Sequence, residues 1–372
     1  MPHKNLAPQN PIKNTPQISP QIIFGPVLSR RFGRSLGVDL SPSVKQCNFD
    51  CVYCELHKAK PVDFMSEIVP YTQILEAIKS GLEAHKDICV LTFTATGEPT
   101  LYPQLYELIS ATKPLLPPHI KTLILSNGSR FQAQKKALAL FDIVKFSIDA
   151  TILSDFRKID RPSKRLSLPS ILRGIEDFSV DFRGELVAEV LLVEGHNDSE
   201  ENLRSIAEFL RNIRISRVDL GSIDRPSAYQ VKAVSEEKLR WASKFFAGLN
   251  LSLPKRAKIE SKPTLDTADI SQVCPKDYPK KDCSKDEVVK SSNPKQSQNL
   301  PPNNHKNTKS YTKDSLLKFI ATRPVERDEA ALLFDKHTLK ILDSLLEEKK
   351  ITLKSQAQNT FYTIAKHSFT TR

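Results

Sequence analysis

No run of 18 or more apolar residues occurs in the 372-residue chain, so no segment is built to span a bilayer as a helix. The first twenty residues hold Pro2, Pro8, Pro11, Pro16 and Pro20 but no apolar signal-peptide core. Both absences predict a cytoplasmic, reducing location and no membrane partner. Cysteine is scarce, six in all, with none before Cys47. Large apolar side chains nearly vanish between 255 and 313, where Lys, Ser, Asn, Gln and Pro301-Pro302 predominate. Such a stretch cannot bury enough surface to order itself and reads as a linker.

What is present is unevenly spread. Basic against acidic residues number 8 to 3 over 1–60, 24 to 25 over 61–254, 13 to 7 over 255–313 and 10 to 8 over 314–372. The middle of the chain is therefore close to neutral. The excess lies in the approach to the cysteines and in the linker, where it would attract a polyanion such as RNA; lysines that keep a flexible linker soluble account for the latter equally well. A run of arginines and glycines, Ser29-Arg30-Arg31-Phe32-Gly33-Arg34, suggests a loop that approaches an anionic group closely, with Arg30, Arg31 and Arg34 as its ligands.

Three of the six cysteines fall within eight positions, as Cys47-x3-Cys51-x2-Cys54. In a reducing compartment this spacing points to a metal or redox site rather than a disulfide. Three thiolates leave two alternatives open. His57 could complete a Cys3His zinc site, or a cubane iron–sulfur cluster could use three thiolates and keep one iron for another ligand. Cys274 and Cys283 read as unpaired linker thiols, and Cys89 as a core residue on a strand.

Apolar runs alternate with amphipathic ones from Val38 to Leu249. Strands are predicted at 38–40, 88–94, 122–126, 143–148, 186–193 and 217–223, with helices at 71–85, 102–112, 133–140, 168–178, 199–213 and 235–249. Near-continuous apolar strands signify a parallel sheet buried on both faces. Six units predict an α/β fold, a partial (β/α)6 barrel over 22–254. Polar residues follow each strand, where barrels of this kind build their active sites. They are Cys47 to Cys54, Gly97-Glu98-Pro99, Asn127, Ser147 with Asp149, Glu194 to Asp198, and Asp224-Arg225. Arg161 and Arg225, each before a proline, are candidates for a substrate phosphate or carboxylate. A disordered tail over 1–21 precedes this unit, and the linker over 255–313 follows it. Three short helices and a hairpin over 314–372 predict a winged-helix-like domain, a module for nucleic acid or protein.

The cysteine spacing, with aromatic Tyr53 before the last cysteine, resembles the signature of the radical S-adenosylmethionine (SAM) enzymes. Thr96-Gly97-Glu98-Pro99 resembles their Gly-Gly-Glu-Pro element, with Thr96 in place of the first glycine. The run from Gly25 to Gly37 is similar to the subgroup of wyosine-type tRNA-guanine synthases and their bacterial relatives, although the additional N-terminal cysteines of the archaeal synthases are missing. The resemblance implies that Cys47, Cys51 and Cys54 hold a [4Fe-4S] cluster whose fourth iron takes SAM. It also implies that Gly97, Glu98 and Pro99 hold the methionyl ammonium, that Tyr53 and Val193 to His196 lie by the adenine, and that Asn127, Ser147 and Asp149 reach the ribose or carboxylate. An external one-electron donor such as flavodoxin or ferredoxin is expected. The expected reaction is reductive SAM cleavage and hydrogen abstraction from a substrate, with RNA as the leading class and a protein or metabolite as the alternative. A non-enzymatic iron–sulfur or zinc protein that binds nucleic acid is the reading from another class.

Overall fold

A computed structural model describes residues 22–29, 31–253, 311–322, 324–356 and 359–365. Arg30, Cys274, Cys283 and nearly all of the predicted linker and N-terminal tail lie outside the described residues.

One sheet organises the larger unit, its eight strands in the order β1 to β8. They are β1 (Ile23–Ser29), β2 (Gly33–Asp39), β3 (Val90–Thr94), β4 (Lys121–Ser126), β5 (Ile143–Ser147), β6 (Glu185–Leu192), β7 (Arg217–Ser222) and β8 (Leu251–Ser252). β1 pairs antiparallel with β2, and every later neighbour pairs in parallel. The helices α1 (Tyr71–Ala84), α2 (Leu105–Thr112), α3 (Phe131–Leu138), α4 (Leu153–Ile159), α5 (Leu168–Asp181), α6 (Glu200–Arg211) and α7 (Glu236–Ser243) form the connections. Side chains alternate across each strand. Phe93, Ile124, Val144, Phe146, Ala188, Val190, Val218 and Leu220 belong with the apolar helix faces in one large buried core.

The opposite faces line a lumen. Val90, Leu123, Ile143 and Val187, near the starts of four successive strands, gather around Phe32 from the turn between β1 and β2. Next to Phe32, Arg31 pairs at 3.0 Å with Asp219 of β7, which Lys145 (3.2 Å) and Arg217 (2.8 Å) also meet. A contact from the β1–β2 turn to β7 requires the sheet to curl on itself, so the foot of the partial barrel is plugged.

This corrects the expectation for the arginine run. It forms a hairpin at the foot, away from the strand ends that carry the cysteines, with Gly33 at a positive φ of 73° in its turn. Arg31 belongs to the plug and Arg34 pairs with Asp87 at 3.1 Å. Both are engaged by carboxylates at the foot rather than directed toward the mouth. Strand β1, helix α4 and the short β8 are additions to the predicted elements. Cys89, directly before β3 rather than on it, is fully buried.

The C-terminal residues build α8 (Lys313–Thr322), β9 (Val325–Glu326), α9 (Arg327–Leu333), α10 (Lys336–Glu347), β10 (Ile351–Gln356) and β11 (Asn359–Ile364). The strands form an antiparallel sheet in the order β10-β11-β9. Asp335 caps α10 by accepting the Thr338 N–H at 2.7 Å. Leu316, Ile320, Phe334, Leu342 and Leu345 form a separate core, against which Phe24 of β1 also packs.

Candidate active site at the cysteine loop

The chain leaves β2 and runs directly into the cysteine loop, which four neighbouring segments fix in place. Gln46 N–H donates to Thr96 O and Glu98 N–H to Gln46 O, both at 2.9 Å, a short parallel bridge that binds the loop's start to the turn after β3. Gly97 sits at φ 142°, and a Cβ there would lie 1.9 Å from the Gln46 carbonyl oxygen. Only glycine fits. The buried Gln46 side chain donates to Ser41 Oγ (2.8 Å) and Glu67 O (2.9 Å), while its Oε1 accepts from Ser66 N–H (2.6 Å). On the far side Val52 N–H donates to Ile159 O at 2.9 Å and Asp50 N–H to Asp160 O at 3.1 Å. From the turn after β7, Ala228 N–H reaches Cys54 O at 2.9 Å, and the Tyr229 hydroxyl donates to Asp50.

Cys47, Cys51 and Cys54 are free thiols, each partly exposed. Around Cys47 are the Phe49 N–H at 3.4 Å and Asn127 Nδ2 at 3.9 Å. Cys51 Sγ donates to Asp160 Oδ1 at 3.4 Å, and Lys45 Nζ donates to Cys54 Sγ at 3.5 Å. Burial, then the charge of Glu98, pushes the Cys47 thiol up to about 12. Burial and the Asp160 carboxylate raise Cys51 well above the usual thiol range. Without a metal both thiols keep their protons, and ligation must displace them.

Thr96 explains the departure from the double-glycine element. Its N–H (2.7 Å) and its hydroxyl (2.6 Å) both donate to the buried Asp39 carboxylate at the end of β2, which also takes Ser41 N–H. Glu98 is 2 % exposed. Its Oε1 accepts from Thr100 N–H, Thr100 Oγ1 and Ser126 Oγ, and its Oε2 from Asn127 N–H at 2.7 Å. Burial raises its pKa against these bonds. Oε2 retains room for one further donor. Pro99 opens a single 3-10 turn that positions Thr100.

Asn127 donates to Asn48 Oδ1 at 2.8 Å and accepts from Ser129, which places it over the first cysteine. Tyr53 donates to Asp149 Oδ2 at 2.5 Å. Asp149 Oδ1 takes Leu191 N–H (2.8 Å), and the buried Asn197 and Asn202 both donate to the Asp149 carbonyl. Burial pushes Asp149 up to about 7. Burial, then the charge of Asp149, raises Asp160 well above the usual carboxylate range. The Ser147 side chain faces the lumen with no hydrogen bond among the described residues; Glu189 beside it in register pairs with Lys145 at 2.6 Å. Val193 is buried and its N–H is held by Asn197 Oδ1 at 2.8 Å.

Tyr53, Gly97, Glu98, Pro99, Asn127, Ser147 and Asp149 thus converge on the strand ends around the three cysteines. Arg161 and Arg225 lie on the outer side of the loop, Arg161 over the Tyr229 ring (4.4 Å) and Arg225 beside Glu55 (3.4 Å). His57 is exposed, and its carbonyl accepts from Lys45 Nζ at 2.9 Å. Lys45, Gln46, Asn48, Asp160 and Tyr229 were not anticipated. The only signal for them was adjacency, Lys45 and Gln46 directly before Cys47 and Asp160 directly before Arg161.

The fold and this loop define an enzyme of the radical SAM class, whose family model, the Radical SAM superfamily, matches residues 42–210. Its cofactors are a [4Fe-4S] cluster and SAM. The residues present fit that pair, with three free sulfurs on one braced loop and the buried Glu98 carboxylate beside them. More narrowly, the chain belongs to the UPF0026 family. It is 45% identical to a UPF0026 protein of Helicobacter pylori over 92% of this chain and 98% of that one. It is 32% identical to UPF0026 protein MJ1312 of Methanocaldococcus jannaschii over 62% of this chain and 71% of that one. Among solved structures it is similar to TYW1 with a lysine-pyruvate adduct bound, at 20% identity and a TM-score of 0.40 over 57% of this chain and 72% of that one. No helix among the described residues is long and apolar enough to cross a membrane.

Proposed function

We propose that Cys47, Cys51 and Cys54 ligate the cluster and that the substrate's reacting carbon enters the lumen beside them. When bound, the cofactor pair supplies reductive cleavage of SAM and a 5′-deoxyadenosyl radical that removes hydrogen from the substrate. The observation that carries this reading is the bridge between Gln46 and Gly97, which holds the cysteines and Glu98 together at the lumen's mouth.

The chain's own part is to bind, orient and exclude water. Glu98 Oε2 accepts the methionyl ammonium, Asn127 orients the amino-acid end above Cys47, and Tyr53 is held by Asp149 for the adenosine end. Ser147 and the Lys145–Glu189 pair meet the substrate below. Phe32 keeps solvent from the foot.

For the substrate, the C-terminal unit favours RNA. Its order of helix, strand, two helices and two strands, with a three-stranded antiparallel sheet, supports a winged-helix-like reading. The helix expected to meet nucleic acid, α10, exposes Lys336, His337 and Lys340 along its N-terminal half. Glu348 beyond its other end is engaged by Lys313 and Lys350.

Anaerobic reconstitution with iron and sulfide, followed by dithionite and SAM, tests the chemistry. Expected is 5′-deoxyadenosine from the native chain and loss of the brown cluster in Cys51→Ala; no product from a fully loaded native chain refutes the reading. Crosslinking in cells of the full chain and of one lacking 255–372 tests the substrate class, with RNA enrichment expected only for the full chain.

A further inference from the structure

The outer side of the cysteine loop carries an ordered band of positive charge that the reaction does not use. Leu153 to Arg165 presents Arg157, Lys158, Arg161, Lys164 and Arg165, all exposed, against Asp155 and the buried Asp160. Lys58 and Lys60, exposed on the loop's own return, extend the band. Backbone bonds sew it to the cysteines, Val52 to Ile159, Asp50 to Asp160 and Ser163 N–H to Asn48 O at 2.8 Å.

The cations are held out rather than consumed. Arg161 adopts a φ of 45°, rare for a side-chain-bearing residue, and its guanidinium lies over Tyr229. Lys58 Nζ lies 4.0 Å from the centre of the same ring. The Arg165 guanidinium lies 3.6 Å from Asp63, and Lys158 donates to the Gly195 carbonyl. The side chains of Lys60, Arg157 and Lys164 have no ion pair or hydrogen bond among the described residues. A fixed field of one sign with unpaired members steers an oppositely charged partner to that spot.

The band is also close to the sulfur ligands. Asp160 touches Cys51 Sγ at 3.4 Å, and the next residue along the chain is the exposed Arg161. A substrate must reach the lumen, whereas an electron carrier needs only to come near the cluster. We propose that this face, formed by Lys58, Lys60, Arg157, Lys158, Arg161 and Lys164, is the docking surface for an acidic one-electron donor protein. The inference rests on the proposed function, which requires an electron from outside. In the step the donor is oxidised by one electron and the cluster reduced by one, and no bond or proton changes hands.

The test uses the full reconstituted chain, its Lys60→Glu/Arg157→Glu/Lys164→Glu variant, and Lys136→Glu on α3 as a charge control. Flavodoxin and a [2Fe-2S] ferredoxin serve as probes, and bulk tRNA as a competitor. For at least one probe, the triple variant is expected to bind about ten-fold more weakly at low salt and to be reduced correspondingly more slowly, with a flatter salt dependence. Lys136→Glu should match the native chain, and dithionite-driven SAM cleavage should be equal in all three. Unchanged affinity and reduction rate for both probes in the triple variant overturn the proposal. So does loss of tRNA binding with both donors unaffected, which would mark the face as an RNA surface. If the native chain makes no 5′-deoxyadenosine even with dithionite, the proposed function fails, and the donor affinities of the three chains still decide the docking surface.

Discussion

Gly97→Ala adds one carbon at the most confined point of the loop. The new Cβ would stand 1.9 Å from Gln46 O and 2.4 Å from Gln46 C, both backbone atoms that no rotamer change can move. Relief requires separating the cysteine loop from the turn after β3. That breaks the two bonds of the bridge, from Gln46 N–H and from Glu98 N–H, at about 1 kcal/mol each. Alanine at a φ of 142° adds strain of roughly 1–3 kcal/mol. A total of about 3–5 kcal/mol corresponds to a fall in melting temperature on the order of 6–20 °C for a unit of this size. Because the bridge aligns Cys47 with Glu98, loading should suffer along with stability. Thermal unfolding followed by circular dichroism, with iron counted per chain after reconstitution, provides the assay. A variant that melts within about 2 °C of the native chain and takes up a full cluster would refute the reasoning.

Thr96→Gly, which restores the glycine of the superfamily's element, should destabilise rather than stabilise; it removes the hydroxyl donor to buried Asp39, at about 1–2 kcal/mol by denaturant titration. Lys45→Met should lower the cluster's reduction potential, since an ammonium donating to Cys54 Sγ favours the added electron, whereas Lys45→Arg should restore most of it; potentiometry with spectroscopic detection reads the difference. Asp142 gives a pH signature. Burial alone would raise its pKa, but Lys113 at 2.7 Å and the Thr122 N–H and hydroxyl outweigh that and lower it. A lowered folded-state value contributes stability that is complete above the unfolded carboxylate range and lost as pH falls through the folded value. Asp142→Asn should therefore flatten the acid limb of the stability curve, as checked by urea unfolding at stepped pH.

The six parallel strand–helix units were legible because their strands are apolar on both faces and their helices keep a regular stripe, patterns that survive in sequence. The spacing marked the cysteine loop as a metal or redox site, and the resemblance, not the spacing, chose a cluster over zinc. The hairpin of β1 and β2 was not, since Arg31, Gly33 and Arg34 interrupt any alternation, and the ion pair that explains Arg31 lies with Asp219, far along the chain. Helix α4 is only seven residues long, too short for its periodicity to stand out. Asn48, Asp160 and Tyr229 escaped notice for a similar reason. Each matters through a partner distant in sequence, and an isolated Asn, Asp or Tyr carries no mark of the group it will meet.

The plug at the foot has a mechanical consequence. Among the described residues β1 and β8 are the outer strands of the sheet, yet Arg31 ties the first turn to β7 through Asp219. The wall is like a cuff stitched at the wrist and left unbuttoned above. It can widen only toward the cysteine end, where the turn carrying Ala228 and Tyr229 bridges to Cys54 and Asp50 like a single clasp. If the proposed function holds, the girth of an entering substrate would be set by how far that clasp lets the cuff spread rather than by the depth of the lumen.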